Sequence, residues 1–121
     1  MVMSKAYFKN LRGIGSLYLL ESYFKYECDD IVFSCRDTKN LLYFGVLVSL
    51  SNDSAEWCIF RTTQQLLDTF RHRRITPLCM ANCVDSRVYE VTQDAHGIST
   101  AEVSIWNSKL QSSGIARSFL P

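Results

Sequence analysis

The densest run of charged side chains is the basic cluster Arg71-His72-Arg73-Arg74. Guanidinium groups bind phosphate oxygens, so this cluster and Arg61 form a candidate nucleic-acid-binding surface. The same cluster lies at the end of a predicted helix, where cations interact favourably with the helix dipole, and Asp68 lies close to it in sequence. The whole chain is not strongly basic, because 13 Lys and Arg residues stand against 12 Asp and Glu residues. Nucleic-acid binding is therefore the second hypothesis.

Cysteines and histidines form the second group of candidate residues. Cys79 and Cys83 stand four residues apart, which places both thiols on one face of a helix. A structural zinc site needs four ligands, commonly as two close pairs, and the sequence offers no second close pair. A nucleophilic cysteine would need His72 or His96 beside it in space. A cysteine- or metal-dependent enzyme is the third hypothesis, and the sequence predicts no catalytic residue, no metal ligand and no cofactor.

Aromatic side chains form the third group. The segment Leu17–Tyr26 carries more aromatic residues than one face of a strand can bury, and aromatic residues are enriched at the centres of protein interfaces. The C-terminal segment adds large apolar residues to an otherwise Ser-rich stretch, and it could dock on its own domain or on another chain. The predicted protein-binding residues are Tyr23, Phe24 and Tyr26 in the first segment and Trp106, Phe119 and Leu120 near the C-terminus.

The elements that must position these residues begin as a series of strands. Apolar runs over 31–36, 41–50 and 56–61 predict strands, whereas the spacing in Leu17–Tyr26 fits either a strand or a helix. The joints between these runs are short and rich in Asp, Asn and Ser, which favour chain reversal. Because parallel neighbours need a long crossover, the first half of the chain is predicted to be an antiparallel meander.

Helix signals follow the meander. Thr62 and Gln65 fit a capping box at the start of a helix over 63–73. Thr76 and Pro77 predict a second, short helix that ends near residue 82. Residues 87–93 and 98–106 then predict a hairpin around a turn at 94–97. The predicted fold class is α+β, with an antiparallel β-meander followed by one main helix, a short helix and a C-terminal β-hairpin, in which the main helix covers one face of the sheet.

Composition indicates one globular domain, since 47% of the residues are apolar and 21% are charged. We predict an N-terminal arm over 1–15, a single α+β domain over 16–106 and a C-terminal tail over 107–121. The N-terminus has no apolar core of the kind that a signal peptide needs. The most apolar run, 41–50, is about half as long as a membrane helix. The five cysteines cannot all pair within one chain. The sequence therefore predicts a cytoplasmic protein with no membrane association.

Several segments together resemble a family of small bacterial domains of unknown function. That family opens on a pattern of the type "YFEYDGP-LF-C-D", followed by a hydrophobic strand, a strand with a Trp, a helix with a Leu-Leu pair and a "VY-V" strand. The matching residues, which span about 17–105, are Leu17–Tyr26, Ile31–Asp37, Tyr43–Val48, Trp57, Leu66-Leu67 and Val88–Val91. The resemblance implies a bacterial, cytoplasmic accessory protein and carries over no catalytic residue.

The leading hypothesis is a non-enzymatic protein-interaction module. It would act as an accessory or regulatory subunit of a bacterial multi-protein system, such as a defence or toxin-neutralising complex. The near-neutral charge, the surplus of aromatic residues and the absence of a catalytic motif support it. The expected partner is another protein chain, in a homo- or hetero-oligomer, with nucleic acid as the second choice.

Overall fold

Strands dominate the chain. The computed structural model describes residues 6–27, 29–85, 87–104 and 108–121. Within these residues the chain forms seven strands and three short helices. The strands are β1 (Phe8–Leu11), β2 (Gly15–Tyr26), β3 (Asp29–Arg36), β4 (Leu42–Leu50), β5 (Ala55–Arg61), β6 (Arg87–Asp94) and β7 (Gly97–Ser104), and the helices are α1 (Gln64–Arg71), α2 (Pro77–Met80) and α3 (Ser108–Ser112).

The strands form one sheet in which each strand pairs antiparallel with the next strand in sequence. Short turns enforce this order from β1 to β5 and from β6 to β7, because they leave no room for a crossover, whereas the connection from β5 to β6 carries α1 and α2. In the turn after β3, the Asp37 carboxylate accepts hydrogen bonds from the backbone N–H groups of Lys39 and Leu41, at 2.8 and 2.9 Å. The predicted strands within 31–36, 41–50 and 56–61 are confirmed. The segment Leu17–Tyr26, which the sequence left open, is part of strand β2.

The predicted α+β fold class is wrong. The structure is an antiparallel sheet that curls until β1 contacts β7, so that it nearly closes into a barrel, and helices contribute only a small part. The predicted main helix over 63–73 is the eight-residue α1. It ends early because Arg73 has a left-handed backbone conformation, with φ of 60°, and such a residue cannot continue a right-handed helix.

Strand β1 lies within the segment that the sequence predicts as an N-terminal arm, residues 1–15, and no strand was predicted there. Gly13 and Gly15 form the turn of the hairpin that joins β1 to β2. Their φ angles of 87° and 92° lie in the region that glycine adopts without steric cost. Phe8 and Leu11 are 2% and 3% exposed, although Lys9 and Asn10 between them are exposed. Because Lys9 and Asn10 are polar, Phe8 and Leu11 do not form a recognisable apolar run in the sequence, and β1 was not predicted.

The inner face of the curled sheet is closely packed with aromatic rings. Phe8 lies 5.2 Å from Trp57 and 6.2 Å from Phe33 between ring centroids. The Phe33 ring lies directly over Gly45, where an added Cβ would come within 2.4 Å of the ring. Gly45 is therefore needed for space and not for backbone freedom. This contact across β3 and β4 fills the centre of the inner face.

The outer face of the sheet packs against α1. Phe70 of α1 contacts Phe44 edge to face at 5.1 Å between ring centroids. The helix begins one residue later than predicted, because Thr63 and not Thr62 is its N-cap. The Thr63 hydroxyl oxygen accepts the N–H of Leu66 at 3.2 Å, which satisfies one of the free donors of the first turn. Thr62 is buried at the end of β5, and its hydroxyl has no hydrogen-bond partner among the described residues.

The C-terminal segment, residues 108–121, also packs against the domain. Leu110 of α3 and Ala116 are both fully buried and belong to the core. The backbone N–H of Leu78 donates to the carbonyl of Ala116 at 2.7 Å. The division into 1–15, 16–106 and 107–121 remains a prediction, but the structure places parts of both predicted flanks on the domain.

Candidate interaction groove

An apolar groove lies where β2, α1 and the C-terminal segment meet. Its volume is about 280 Å³, and ten residues line it. They are Phe24, Val32, Phe70 and Pro77 on the side of the sheet and helices, and Gly114, Ile115, Ser118, Phe119, Leu120 and Pro121 on the side of the C-terminal segment. Phe24 and Phe119 are 41% and 53% exposed. The groove thus combines a buried apolar base with accessible aromatic residues.

A β-bulge brings Phe24 to this groove. Ser22 pairs with Phe33 and Phe24 pairs with Val32, so Tyr23 is an extra residue in β2. Ordinary alternation would place Tyr23 and Phe24 on opposite faces of the sheet. Instead Tyr23 stacks on Phe44 and Phe24 lines the groove beside Phe70, so both rings lie on the outer face. The bulge therefore creates one side of the groove.

Hydrogen bonds from Arg73 hold the other side of the groove. The Arg73 Nε atom donates to the carbonyl of Leu120 at 3.0 Å, and an Nη atom donates to the carbonyl of Pro121 at 3.1 Å. Two residues before Leu120, the hydroxyl of Ser118 donates to the carbonyl of Gly114 at 2.6 Å. These bonds fix the backbone of the segment and leave the Phe119 ring exposed.

An ion-pair cluster holds the start of the same segment. Lys109 of α3 contacts the carboxylates of Glu56 on β5 and Glu90 on β6, the latter at 2.8 Å. The hydrogen bonds that Lys109 donates to these two carboxylates raise its pKa above the ordinary value. Lys109 therefore stays charged throughout the physiological range and joins α3 to two neighbouring strands.

The structure brings three of the six predicted protein-binding residues together. Phe24, Phe119 and Leu120 line the same groove, although more than 90 residues of sequence separate the first from the last. Tyr23 packs edge to face on Phe70 at 5.4 Å, and its hydroxyl donates to Ser34. Tyr26 is 60% exposed but does not line the groove. Trp106 lies outside the described residues.

Sequence reasoning missed several residues of the groove. Phe70 and Pro77 look like ordinary helix residues in the sequence, and only the tertiary structure places them beside Phe24. Ile115 offers a weak signal, since it stands four residues before Phe119 in a polar segment. Such spacing could have indicated a shared face in a turn or helix.

The basic residues do not form one unpaired surface. Arg71 makes a bidentate pair with Glu21, at 2.8 and 3.2 Å, and contacts Asp68 at 3.0 Å. Arg61 lies over the ring of Tyr43, 5.8 Å from its centroid.

Arg73 binds the C-terminal carbonyls, as described above. Arg74 is exposed. Binding of nucleic acid through Arg61, Arg71, Arg73 and Arg74 stays a prediction that no contact favours.

A second polar cluster lies beside β1. Asp30 is 6% exposed, and its carboxylate accepts hydrogen bonds from the hydroxyls of Tyr7 and Ser22. Burial, and then this bond and the charge of Asp30, raise the pKa of Tyr7 above its ordinary value. Burial, with a smaller effect of Asp30, raises the pKa of the Cys35 thiol to about 12. The cluster joins β1 to β2 and β3, and Cys35 is kept as a neutral thiol.

Within the described ranges, no group of three or more His, Cys, Asp or Glu side chains is placed to hold a metal ion. None of the described helices is long and apolar enough to cross a membrane. No family model, curated protein or solved structure matches the chain. The resemblance to a family of small bacterial domains therefore remains a prediction.

Proposed function

We propose that the protein is a non-enzymatic interaction module, an accessory or regulatory subunit of a bacterial multi-protein system, and that the groove beside Phe24 and Phe119 receives an apolar side chain of its partner. The observation that carries this proposal is the exposure of these two rings, 41% and 53%, at the mouth of an apolar groove. Contiguous exposed apolar surface of this kind is characteristic of interaction sites.

The size of the groove indicates the kind of occupant. Sites for drug-sized molecules and cofactors have volumes of roughly 300–1,000 Å³, and the groove, with about 280 Å³, is at the lower limit of that range. It is suited to one or two large side chains of a protein segment. Aromatic residues such as Phe24 and Phe119 contribute strongly to binding energy when a partner covers them.

The proposal is tested by selecting peptides from a displayed random library on the immobilised protein. We expect the selected peptides to share an aromatic or large aliphatic residue. They should lose at least about tenfold in affinity on Phe24→Ala and Phe119→Ala, as is usual for anchor residues of an interface. Leu50→Ala and Ile98→Ala are matched controls, because these side chains are 48% and 41% exposed elsewhere on the sheet.

Two outcomes would contradict the proposed function. In the first, no peptide is enriched on the wild-type protein. In the second, the enriched peptides bind Phe24→Ala and Phe119→Ala as well as they bind the wild-type protein, which would place their site elsewhere.

We further propose a reducing compartment, the cytoplasm, for this module. The thiols of Cys35, Cys79 and Cys83 are free, and the last two are exposed. Exposed free thiols are more compatible with a reducing environment than with an oxidising one.

A further inference from the structure

We propose that a polar pocket between the β1–β2 turn and β7 binds a free α-amino acid in its zwitterionic form, with Arg12 on the carboxylate and Glu102 on the ammonium group. Its volume is about 380 Å³, within the range of roughly 300–1,000 Å³ that small-molecule sites occupy. Tyr89 lines the pocket and belongs to the same cross-strand row as Phe33 and Gly45. The pocket therefore lies on the inner face of the sheet, and this inference goes beyond the groove on the outer face.

Cross-strand pairing builds the floor of the pocket. Tyr89 of β6 pairs directly with Glu102 of β7, and residues opposite each other in an antiparallel pair point to the same face. Thr100 stands two residues before Glu102 and shares that face. Arg12 and Gly13, in the turn after β1, complete the described lining. The pocket thus lies at the seam where the curled sheet nearly closes.

The neighbours of Arg12 hold its backbone at the edge of this pocket. Leu11 is 3% exposed and belongs to the core. Gly13 lies against the ring of Tyr89, where an added Cβ would come within 2.9 Å of a ring carbon. Because both neighbours are packed, the exposed Arg12 side chain starts from a fixed point beside the pocket.

The charge of Arg12 is not compensated within the protein. All 12 Asp and Glu residues of the chain belong to the described residues, and none of them forms an ion pair with Arg12. Nor does its guanidinium donate to a carbonyl of the described chain, whereas that of Arg73 donates to two. The planar guanidinium matches a carboxylate in a bidentate pair. A ligand carboxylate would therefore meet no competing acceptor at Arg12.

Two hydroxyl groups in the pocket offer further donors. Tyr89 is 6% exposed, and its hydroxyl has no hydrogen-bond partner in the part of the chain that the structure describes. Burial without a hydrogen bond is costly for a hydroxyl. A ligand carboxylate that accepts from Tyr89 therefore gains a bond without breaking another. The Thr100 hydroxyl, which likewise makes no bond to a described residue, is the second donor.

Glu102 supplies the opposite charge. Its ion pair with Arg87 is 3.7 Å long, and the two side chains are 57% and 66% exposed. Such an exposed pair contributes little, and an ionised carboxylate has lone pairs for a second donor. Arg12 and Glu102 do not pair with each other, so the pocket presents one cation and one anion separately. A free α-amino acid carries the complementary charges on neighbouring groups, whereas a ligand with a single charge would leave one of them unmatched.

The test screens the common L-amino acids one at a time against the isotope-labelled full chain and follows the amide resonances of Gly13, Tyr89 and Thr100. The amino acid that binds most tightly is then compared with two derivatives. Its N-acetyl derivative keeps only the negative charge, and its methyl ester keeps only the positive charge. We expect the free amino acid to bind about tenfold more tightly than either derivative, the usual effect of one charge-assisted hydrogen bond.

Variants assign the two charges to residues. Arg12→Gln should abolish the advantage of the free amino acid over the methyl ester, and Glu102→Gln should abolish its advantage over the N-acetyl derivative. Tyr89→Phe, which removes only the hydroxyl, should weaken the free amino acid severalfold. A structural loss would weaken all three compounds alike and leave their ratios unchanged. Arg74→Gln is the matched control, because Arg74 is an exposed arginine that does not line the pocket.

Three outcomes would overturn the inference. In the first, no amino acid shifts the three resonances at saturating concentration. In the second, the free amino acid and both derivatives bind equally. In the third, Arg12→Gln and Glu102→Gln keep the ratios of the wild-type protein. None of these outcomes bears on the groove, because peptides bound there would shift resonances on the outer face of the sheet.

Discussion

The two ends of the chain pack against the domain in different ways. At the N-terminal end, β1 contributes Phe8 and Leu11 to the core, 2% and 3% exposed. At the C-terminal end, Leu110 and Ala116 are buried. Phe119, which follows both of them in the sequence, is 53% exposed. One end completes the sheet, whereas the other end covers the outer face only in part.

This difference shows why, among the residues that the structure describes, the C-terminal end is the candidate binding surface. From the sequence, both ends are predicted to be flanks of the domain, an arm over 1–15 and a tail over 107–121. Pairing with β2 places the apolar residues of β1 inside the sheet. The C-terminal segment has no strand pairing to organise it, and Arg73 instead holds its backbone by two carbonyl groups. Ile115, Phe119 and Leu120 of this segment form the edge of the groove, whereas Leu110 and Ala116 are buried.

The largest expected difference between the two ends lies in stability. We expect Phe8→Ala to lower the free energy of unfolding by about 3–5 kcal/mol, the usual cost of truncating a buried Phe. Phe119→Ala should cost less than about 1 kcal/mol, because the ring is half exposed. Denaturant unfolding of both variants checks this, with Leu50→Ala as an exposed control. Similar losses of unfolding free energy in Phe8→Ala and Phe119→Ala would contradict the difference between the two ends of the chain.

A smaller effect is expected at the hydrogen bond between Tyr7 and the buried carboxylate of Asp30. At neutral pH, Tyr7→Phe should lower the free energy of unfolding by about 1.5–3 kcal/mol, as is usual for hydrogen bonds to charged groups. Tyr26→Phe, at a residue that is 60% exposed, is the control and should have little effect.

The effect of Tyr7 should also depend on pH. The folded state raises the pKa of Tyr7 above the ordinary value of 10, mainly through burial. Above pH 10 the unfolded chain therefore releases a proton that the folded chain retains, and the stability contributed by Tyr7 falls as the pH rises. The gap between wild type and Tyr7→Phe should narrow above pH 10. A constant gap would show that Tyr7 ionises equally in both states.

The smallest expected effect concerns how firmly the C-terminal segment is held. Arg73→Gln removes the charged donor to Leu120 and Pro121, and should change global stability by less than about 1 kcal/mol. The N–H of Leu78 reports the docking locally, because it donates to the carbonyl of Ala116. Its hydrogen exchange should accelerate severalfold in Arg73→Gln and not in Arg74→Gln. Equal exchange in the two variants would show that Arg73 does not hold the segment.

The sequence predicted the central strands well, because β3, β4 and β5 consist of apolar runs separated by Asp, Asn and Ser turns. It failed at β1, where only Phe8 and Leu11 signal burial, and at the end of α1, which depends on the left-handed conformation of Arg73. These features arise from tertiary packing and local backbone geometry, which periodicity does not reveal.

Three of the predicted protein-binding residues lie at the groove, and their role in binding stays a prediction. The aromatic surplus of Leu17–Tyr26 indicates Phe24, and the polar C-terminal tail indicates Phe119 and Leu120, and all three line the groove. The β-bulge at Tyr23 could not be predicted, since one extra residue in a strand leaves no mark on composition. Tyr23 was consequently grouped with Phe24, although it packs against α1.

The measurement that tests the groove most directly is a map of amide chemical-shift changes on addition of a library-selected peptide to the full chain. The account predicts that the largest changes occur at Phe24, Val32, Ile115 and Phe119, which line the groove. Changes centred instead on the exposed residues Leu50 and Ile98, or no changes at saturating peptide, would contradict it.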